Sequence, residues 1–186
     1  MNRRRLSFYC RLPFYALRLC RILAFSLGRV RVRSFKQYIG KNCRIEAERG
    51  WIQLDRRCTL ADRVSLIAFG KGVITLGAEI FINESSRIVA MERIDVGDNC
   101  LIGDSVSIYD HDHAHADPHR LIRKQGYVAT PVRIGRNVWI CSHVVVCKGV
   151  SIGDNSVIGA GSVVTHSIPA DVVAVGAPAR VVKRRY

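Results

Sequence analysis

Four closely spaced histidines form the part of this chain best suited to chemistry. His111, His113, His115 and His119 lie within a polar stretch, residues 109–131. An imidazole titrates near neutral pH, so it can accept a proton from a hydroxyl group and return it to a leaving group. A general base of this kind typically accelerates a reaction by ~10²–10⁴-fold. The stretch is therefore a candidate catalytic segment.

The histidine pattern allows two other interpretations. Alternating histidines at 111, 113 and 115 could gather a metal ion, but a metal site needs converging ligands and supporting partners, which alternation in a loop does not guarantee. The segment could also be a polar surface loop without chemistry. The histidines alone leave these interpretations open.

A six-residue repeat runs on both sides of the histidine stretch and must position it. The apolar residues that recur at every sixth position are Leu54-Leu60-Leu66, Leu76-Ile82-Ile88, Val96-Ile102-Ile108, Ile134-Ile140-Val146 and Ile152-Ile158-Val164. A short fixed period predicts a solenoid, here an all-β parallel β-helix with three hexads per coil. A β-sandwich would instead show a period of two, with turns every ~8–12 residues. Asp-Asn pairs at 98–99 and 154–155 suit the corners, because both residue types tolerate left-handed backbone conformations.

Length and cysteine usage fit this fold class. The 186 residues predict one β-helix domain, 37–186, that carries the loop 109–131 and follows an added segment, 1–36. The seven cysteines are odd in number and include no CxxC pair. This usage indicates reduced, buried thiols in a cytoplasmic protein rather than a disulfide framework or a zinc site.

The N-terminal segment differs from the rest in charge. Residues 1–45 hold twelve Lys or Arg and no Asp or Glu, against a formal net charge of +14 for the whole chain. Leu12, Tyr15 and Leu19 are spaced as on one face of a helix, which we expect to begin near Pro13. Arginines interrupt the apolar run, and the segment lacks the features of a transmembrane helix or a signal peptide.

Two roles fit this basic amphipathic segment, 1–36. It could lie on an anionic membrane surface at the inner leaflet, where each basic residue contributes roughly 1 kcal/mol. It could equally cover the open end of the β-helix. Nucleic-acid binding is disfavoured, because the basic residues alternate with bulky aliphatic ones and no nucleic-acid motif is present.

Several motifs between residues 96 and 182 together resemble one family. They are VGDNCLI (96–102), DH (112–113), IGRNVWI (134–140), SH (142–143), GVSIGDNSVIGAGSVVT (149–165) and VGAPAR (175–180). This combination resembles the hexapeptide-repeat acetyltransferases, in particular the galactoside and maltose O-acetyltransferase branch. The resemblance implies a left-handed parallel β-helix, acetyl-CoA as co-substrate and no metal. It also implies a homotrimer whose active sites are shared between subunits.

The resemblance also implies roles for individual residues. The catalytic base falls on His113, with His115 and His111 as alternatives. Acceptor binding falls on Asn83 and Trp139. The positions matching those that contact coenzyme A are Ser142, Ala160, Thr165, Arg180 and Lys183.

Three positions depart from the family pattern. Cys141 and His166 stand where relatives usually carry Gly and Lys. Met91 stands at a position that matches an acceptor-binding Asp of sugar-acetylating relatives, and a thioether is at most a weak acceptor for sugar hydroxyls. A simple galactoside or maltose is therefore not the expected acceptor.

The expected function is acetyl-CoA-dependent O-acetylation of a sugar hydroxyl, in a bacterial envelope polysaccharide or a lipid-linked glycan precursor. One alternative is acetylation of a small soluble acceptor such as an antibiotic, serine or a free sugar. The other is a non-catalytic or zinc-binding β-helix. The expected location is the cytoplasm, with possible contact to the inner face of the membrane through residues 1–36.

Overall fold

The computed structural model describes the backbone of residues 3–186 and the side chains from residue 13 onward. A single α-helix, α1 (Arg3–Phe25), is followed by short strands and one 3-10 turn, Ile122–Lys124. The strands are β1 (Val30–Val32), β2 (Tyr38–Ile39), β3 (Arg44–Ala47), β4 (Trp51–Leu54), β5 (Thr59–Leu60), β6 (Ser65–Ala68), β7 (Val73–Leu76), β8 (Phe81–Ile82), β9 (Arg87–Ala90), β10 (Arg93–Val96), β11 (Leu101–Ile102), β12 (Ser107–Tyr109), β13 (His111–His113), β14 (Tyr127–Ala129), β15 (Val132–Ile134), β16 (Trp139–Ile140), β17 (Val145–Val146), β18 (Ser151–Ile152), β19 (Val157–Ile158), β20 (Val163–Val164), β21 (Val172–Gly176) and β22 (Ala179–Arg184).

These strands wind into a parallel β-helix of six coils, as the repeat predicted. The first sheet has the order β1-β4-β7-β10-β15-β18, the second β2-β5-β8-β11-β16-β19-β21-β22 and the third β3-β6-β9-β12-β17-β20. Each coil therefore adds one strand to each of three sheets. Because β1 pairs with β4, the sequence boundary at residue 37 falls inside the first coil rather than before it.

The core is a set of stacked apolar ladders. In the second sheet Ile82 pairs with Ile102, and Ile102 with Ile140, and all three are buried. Like side chains at the same register pack directly on one another, and burying each contributes about 1.5–3 kcal/mol. The hexad residues identified in the sequence are these ladder residues.

Three corners join the sheets and recur with the same backbone geometry. We name them in chain order: the first corner leads from the first sheet to the second, the second corner to the third sheet, and the third corner back to the first sheet. Asn99 and Asn155 have φ of 60° at the first corner, as the Asp-Asn pairs predicted. His143 has φ of 59° at the second corner. This left-handed conformation turns the chain without an added glycine.

The helix α1 packs on the first coil. Leu19 is 1% exposed within the core, and Arg18 Nη1 donates to the Ile39 carbonyl at 3.0 Å. The helix therefore covers the first coil, which is one of the two roles that the sequence allowed for this segment. The helix begins at Arg3 and runs through Pro13, so the expected start near Pro13 was wrong. No helix within residues 3–186 is long and apolar enough to cross a bilayer.

Candidate active site

The histidine stretch leaves the β-helix at the third corner of the fourth coil, after β12. It forms a two-stranded antiparallel ribbon in which His113 pairs with Tyr127 and His111 with Ala129. At its tip, Gln125 Nε2 donates to the carbonyls of Asp117 and Arg120 at 2.9 and 2.7 Å. The expected loop is thus partly ordered, and strand β13 holds two of its histidines.

The histidines occupy different surroundings. His111 is 13% exposed, with Nδ1 2.9 Å from Asp110 Oδ1. His113 is exposed and its ring lies 4.5 Å from the Tyr127 ring, centroid to centroid, at 35°. His115 is exposed, and its Nδ1 lies 3.0 Å from the His113 carbonyl oxygen. Within residues 13–186, neither ring nitrogen of His113 has a hydrogen-bond partner, so this imidazole can exchange a proton with a substrate.

The second corner holds a second set of predicted site residues. Asn83, Ser142 and Ala160 follow β8, β16 and β19, which belong to coils stacked in register. A methyl group on Gly103 would lie 2.6 Å from the Ser142 nitrogen, so glycine is required for the coils to approach here. Among the described residues, no acceptor meets the Ser142 N–H. A fixed, unpaired amide of this kind can stabilise a developing oxyanion.

Two residues that sequence reasoning missed flank Ser142. Its hydroxyl donates to Asp104 Oδ1, and His143 Nε2 lies 3.7 Å from Asp104 Oδ2. The bond from Ser142 lowers the pKa of the Asp104 carboxyl, and the nearby His143 lowers it further. Asp104 stands two residues after a hexad position, and that register is the signal that could have placed it beside Ser142.

Trp139 lies on the outer face of the second sheet and is 50% exposed. It pairs with Leu101 below and Val157 above, and Leu101 pairs with Phe81. The indole is therefore not part of the core. An exposed apolar ladder leads along this sheet towards the final hairpin.

The remaining predicted cofactor residues lie at the end of the β-helix. Arg180 and Lys183 are on β22, opposite Val175 and Val173 of β21. Thr165 lies at the third corner of the sixth coil, and its hydroxyl is 2.9 Å from His166 Nδ1. Arg180 and Lys183 therefore share the second sheet with Trp139, whereas Thr165 shares the third corner with the insertion.

Within one chain, these groups do not form one site. Ser142 precedes the third sheet at the second corner and His113 follows it beyond the third corner, so the width of the third sheet lies between them. A base must come within about 3 Å of the proton it removes. One copy of the chain thus presents two half-sites.

The cysteines near these half-sites are protonated thiols. Burial raises the pKa of Cys141 and, together with Asp112, that of Cys147. In the core, burial raises the pKa of Cys58 to about 12 and that of Cys100 to about 11. Thiols of this kind are poor nucleophiles at neutral pH. Cys10 lies outside the described side chains.

No group of three or more His, Cys, Asp or Glu side chains converges as a metal site in residues 13–186. The His111 Nδ1 atom is hydrogen-bonded to Asp110, and the His113 ring, two residues further on, stacks on Tyr127.

Comparison with known proteins places the chain in a family. The profile of the family "Bacterial transferase hexapeptide (six repeats)" matches residues 131–166. The galactoside O-acetyltransferase of Escherichia coli K12 is 46% identical over 111 residues, covering 59% of this chain and 53% of that protein. The chain therefore spans about half the length of that relative.

A second relative is matched over most of its length. The putative lipopolysaccharide biosynthesis O-acetyl transferase WbbJ of Escherichia coli K12 is 32% identical over 157 residues, covering 77% of this chain and 80% of that protein. A Vibrio cholerae hexapeptide-repeat acetyltransferase, VCA0836, solved with acetyl-CoA, superposes with a TM-score of 0.58 at 29% identity. That match covers 81% of this chain and 72% of the solved one. With its six-coil β-helix and these relatives, the chain belongs to the hexapeptide-repeat acetyltransferase family.

Proposed function

We propose that this chain transfers an acetyl group from acetyl-CoA to a hydroxyl group of a sugar. The observation that carries this proposal is the exposed, unpartnered imidazole of His113, fixed on a strand opposite Tyr127. The solved relative that holds acetyl-CoA supports the donor. The relatives named for galactoside and for lipopolysaccharide acetylation support a sugar acceptor.

The active site is shared between subunits of a homotrimer. The third corner of one copy, carrying His113, meets the second corner of the next, carrying Ser142 and Asn83. Because the third sheet lies between the two half-sites in one chain, a neighbouring copy can supply the half-site that each copy lacks.

The reaction is a direct transfer. His113 takes the proton of the acceptor hydroxyl as its oxygen attacks the thioester carbonyl, and the Ser142 N–H of the neighbouring copy stabilises the oxyanion. The new C–O bond remains as the C–S bond breaks, and protonated His113 returns its proton to the thiolate of coenzyme A. The raised pKa values of Cys141 and Cys147 make these nearby thiols poor nucleophiles. The acetyl group therefore passes directly to the acceptor without an acyl-enzyme intermediate.

The donor lies along the second sheet and its corner. Ala160 lines the path of the pantetheine arm at the second corner, and Thr165 approaches the arm from the third corner of the neighbouring copy. Small side chains at these positions admit a linear chain. Arg180 and Lys183 contact the phosphates, a task suited to fixed cations. The exposed Trp139 indole lies on the same sheet and is assigned, with Asn83, to acceptor binding.

The acceptor is a sugar unit of an envelope polysaccharide or of a lipid-linked glycan precursor. Asn83 offers an amide, with its Oδ1 already accepting from the Glu84 N–H at 2.9 Å, so its NH₂ group remains for a sugar oxygen. At the third corner, Met91 presents a thioether instead of a carboxylate. The half-site near His113 therefore does not match a galactoside or maltose pocket based on an Asp.

The experiment is an acetyl-CoA transfer assay against a panel of sugars, glycan oligosaccharides, serine and aminoglycosides. We expect transfer to sugars by the wild-type chain, and a rate about 10²–10⁴-fold lower for His113→Ala. His119→Ala, an exposed histidine of the same insertion, is the matched control and should keep the wild-type rate. Full transfer by His113→Ala would refute the assigned base, and serine or aminoglycoside as the only acceptor would refute the sugar.

The proposal includes a location at the inner face of the cytoplasmic membrane, reached through residues 1–36. The helix α1 exposes Phe14, Leu17 and Phe25, the last at 82%. Twelve basic residues and no acidic ones lie in residues 1–45. An apolar stripe flanked by cations suits the interface of an anionic bilayer.

Vesicle sedimentation tests this location. The whole chain should bind phosphatidylglycerol vesicles and bind phosphatidylcholine vesicles less. Leu17→Ser with Phe25→Ser should weaken binding by about 10- to 100-fold, because two apolar side chains lose their burial in lipid. Leu121→Ser with Ile122→Ser removes two exposed apolar side chains of the insertion and should leave vesicle binding unchanged. Equal binding by both double variants would contradict the membrane location.

A further inference from the structure

We infer that Asp110 is a positioning residue for His113. Its buried carboxylate fixes the root of the histidine insertion to the β-helix and, through the rings of His111 and Tyr127, sets the orientation of the His113 ring. This inference rests on the proposed function, in which His113 is the base.

Asp110 is 0% exposed and bound to the turn between the third and fourth coils. Its Oδ1 accepts from the Met91 N–H at 2.8 Å, and its Oδ2 from the Glu92 and Arg93 N–H groups at 2.8 and 2.7 Å. Hydrogen bonds to a charged acceptor are roughly twice as strong as neutral ones. One carboxylate thus fastens the start of the insertion to three consecutive amides of the scaffold.

The backbone of Asp110 also ties the far end of the insertion to the same point. Its carbonyl oxygen accepts from the Thr130 N–H at 2.7 Å, and the Thr130 carbonyl accepts from the Gly149 N–H at 3.0 Å. Both ends of the ribbon therefore meet at Asp110. A two-stranded ribbon alone is marginally stable in water, so its anchorage determines its direction.

The carboxylate acts beyond the root through His111. A carboxylate can only accept a hydrogen bond, so the His111 Nδ1–H group donates to Asp110 Oδ1 at 2.9 Å. This hydrogen bond fixes the tautomer and the plane of the His111 ring. The His111 ring contacts the Tyr127 ring edge-on, with 5.9 Å between the ring centroids. The Tyr127 ring in turn contacts the His113 ring, with 4.5 Å between the centroids. The contacts run without a gap from Asp110 to His113.

Position matters because the base works only at hydrogen-bond range. An error of about 1 Å in placing a reacting group can lower a rate by about 10²-fold. His113 itself is exposed, and among residues 13–186 its ring has no hydrogen bond to hold it. Its placement therefore depends on the ribbon and on the Tyr127 ring.

The test measures kcat and the KM for acetyl-CoA separately in the whole chain. Asp110→Asn places an amide NH₂ group against backbone donors and removes the charge. We expect kcat to fall by about 10²-fold with little change in KM, since the donor path lies at the other corner. Asp117→Asn, an exposed carboxylate of the same insertion, is the matched control and should keep the wild-type kcat.

A second pair of variants tests the ring contacts without touching the buried carboxylate. Tyr127→Phe keeps the ring on His113 and should keep kcat, whereas Tyr127→Ala should lower it by about 10-fold or more, with the same melting temperature as Tyr127→Phe. This pair decides the question if Asp110→Asn fails to fold.

The outcomes separate this inference from the proposed function. A folded Asp110→Asn variant with the wild-type kcat would overturn the inference even if His113→Ala is inactive. Equal kcat values for Tyr127→Ala and Tyr127→Phe would overturn the ring path. Activity retained by His113→Ala would instead overturn the proposed function.

Discussion

The second and third corners of the β-helix are built in different ways. At the second corner every coil repeats the same geometry, and Ser142 is placed by its register with the coils above and below. At the third corner the repeat is interrupted, and His113 is placed by a buried carboxylate and a ring contact that occur once. The repeat supplies a surface suited to a long linear molecule, and the interruption supplies a single group suited to proton transfer.

The prediction with the largest expected change in transfer rate is complementation between two variants, each with one half-site disabled. His113→Ala disables one half-site and Trp139→Ala the other, and both residues are exposed, so both variants should fold. If each active site joins corners of two copies, a refolded equimolar mixture should recover about a quarter of the wild-type activity, above the lowered rate of either variant alone. The measurement is the transfer rate of the mixture against each variant alone.

The control for this experiment is the mixture of His113→Ala with wild type, which should lose activity only in proportion to the variant. No recovery in the mixture of the two variants would show that both half-sites act within one chain. The comparison between the corners would then describe two parts of a single site.

The contrast between the corners explains what the sequence could predict. The hexad positions, the corner asparagines and the neighbours of Ser142 follow from spacing, because a repeat turns sequence distance into position. The pairing of His113 with Tyr127 and the bonds of Asp110 to Met91, Glu92 and Arg93 join residues that are 14 and 17–19 positions apart without a repeat. No local pattern encodes such contacts, so the spacing of His111, His113 and His115 alone could not choose a base, and the assignment to His113 came from the family resemblance.

The helix α1 shows the same limit. Charge and spacing predicted an amphipathic segment, but not that its core contact would be Leu19 or that its start would precede Pro13. Proline is normally tolerated only in the first turn of an α-helix, which is why the sequence predicted a helix start near Pro13. In the structure the helix continues through it, and packing on the first coil stabilises the part that follows.

A smaller effect should distinguish the corners by stability rather than rate. Gly103→Ala places a methyl group 2.6 Å from the Ser142 nitrogen, so the coils must separate. We expect the free energy of unfolding to fall by about 1–3 kcal/mol, measured by urea denaturation, with a lower kcat. His113→Ala removes an exposed side chain and should leave the unfolding free energy unchanged.

Equal stability losses in Gly103→Ala and His113→Ala would contradict the separation of scaffold and chemistry between the corners. The unfolding slope with urea should stay the same in both variants, because the surface exposed on unfolding does not change.

The smallest expected effect concerns Asp104, the carboxylate beside Ser142. Its pKa is lowered in the folded chain, chiefly by the Ser142 hydroxyl, so the folded state binds fewer protons there than the unfolded state. The resulting stabilisation is present above the unfolded pKa of about 3.9 and is lost as pH falls through the folded pKa. Asp104→Asn should therefore be slightly less stable than wild type at pH 7, and the difference in melting temperature should shrink below about pH 4. A difference that stays constant down to pH 3 would mean that the amide disturbs the corner by its shape and that the charge contributes nothing. The register of the coils brings Asp104 next to Ser142, and their hydrogen bond occurs at the repeated corner. The variant therefore also tests whether this corner depends on a single side chain, as the interrupted corner does on Asp110.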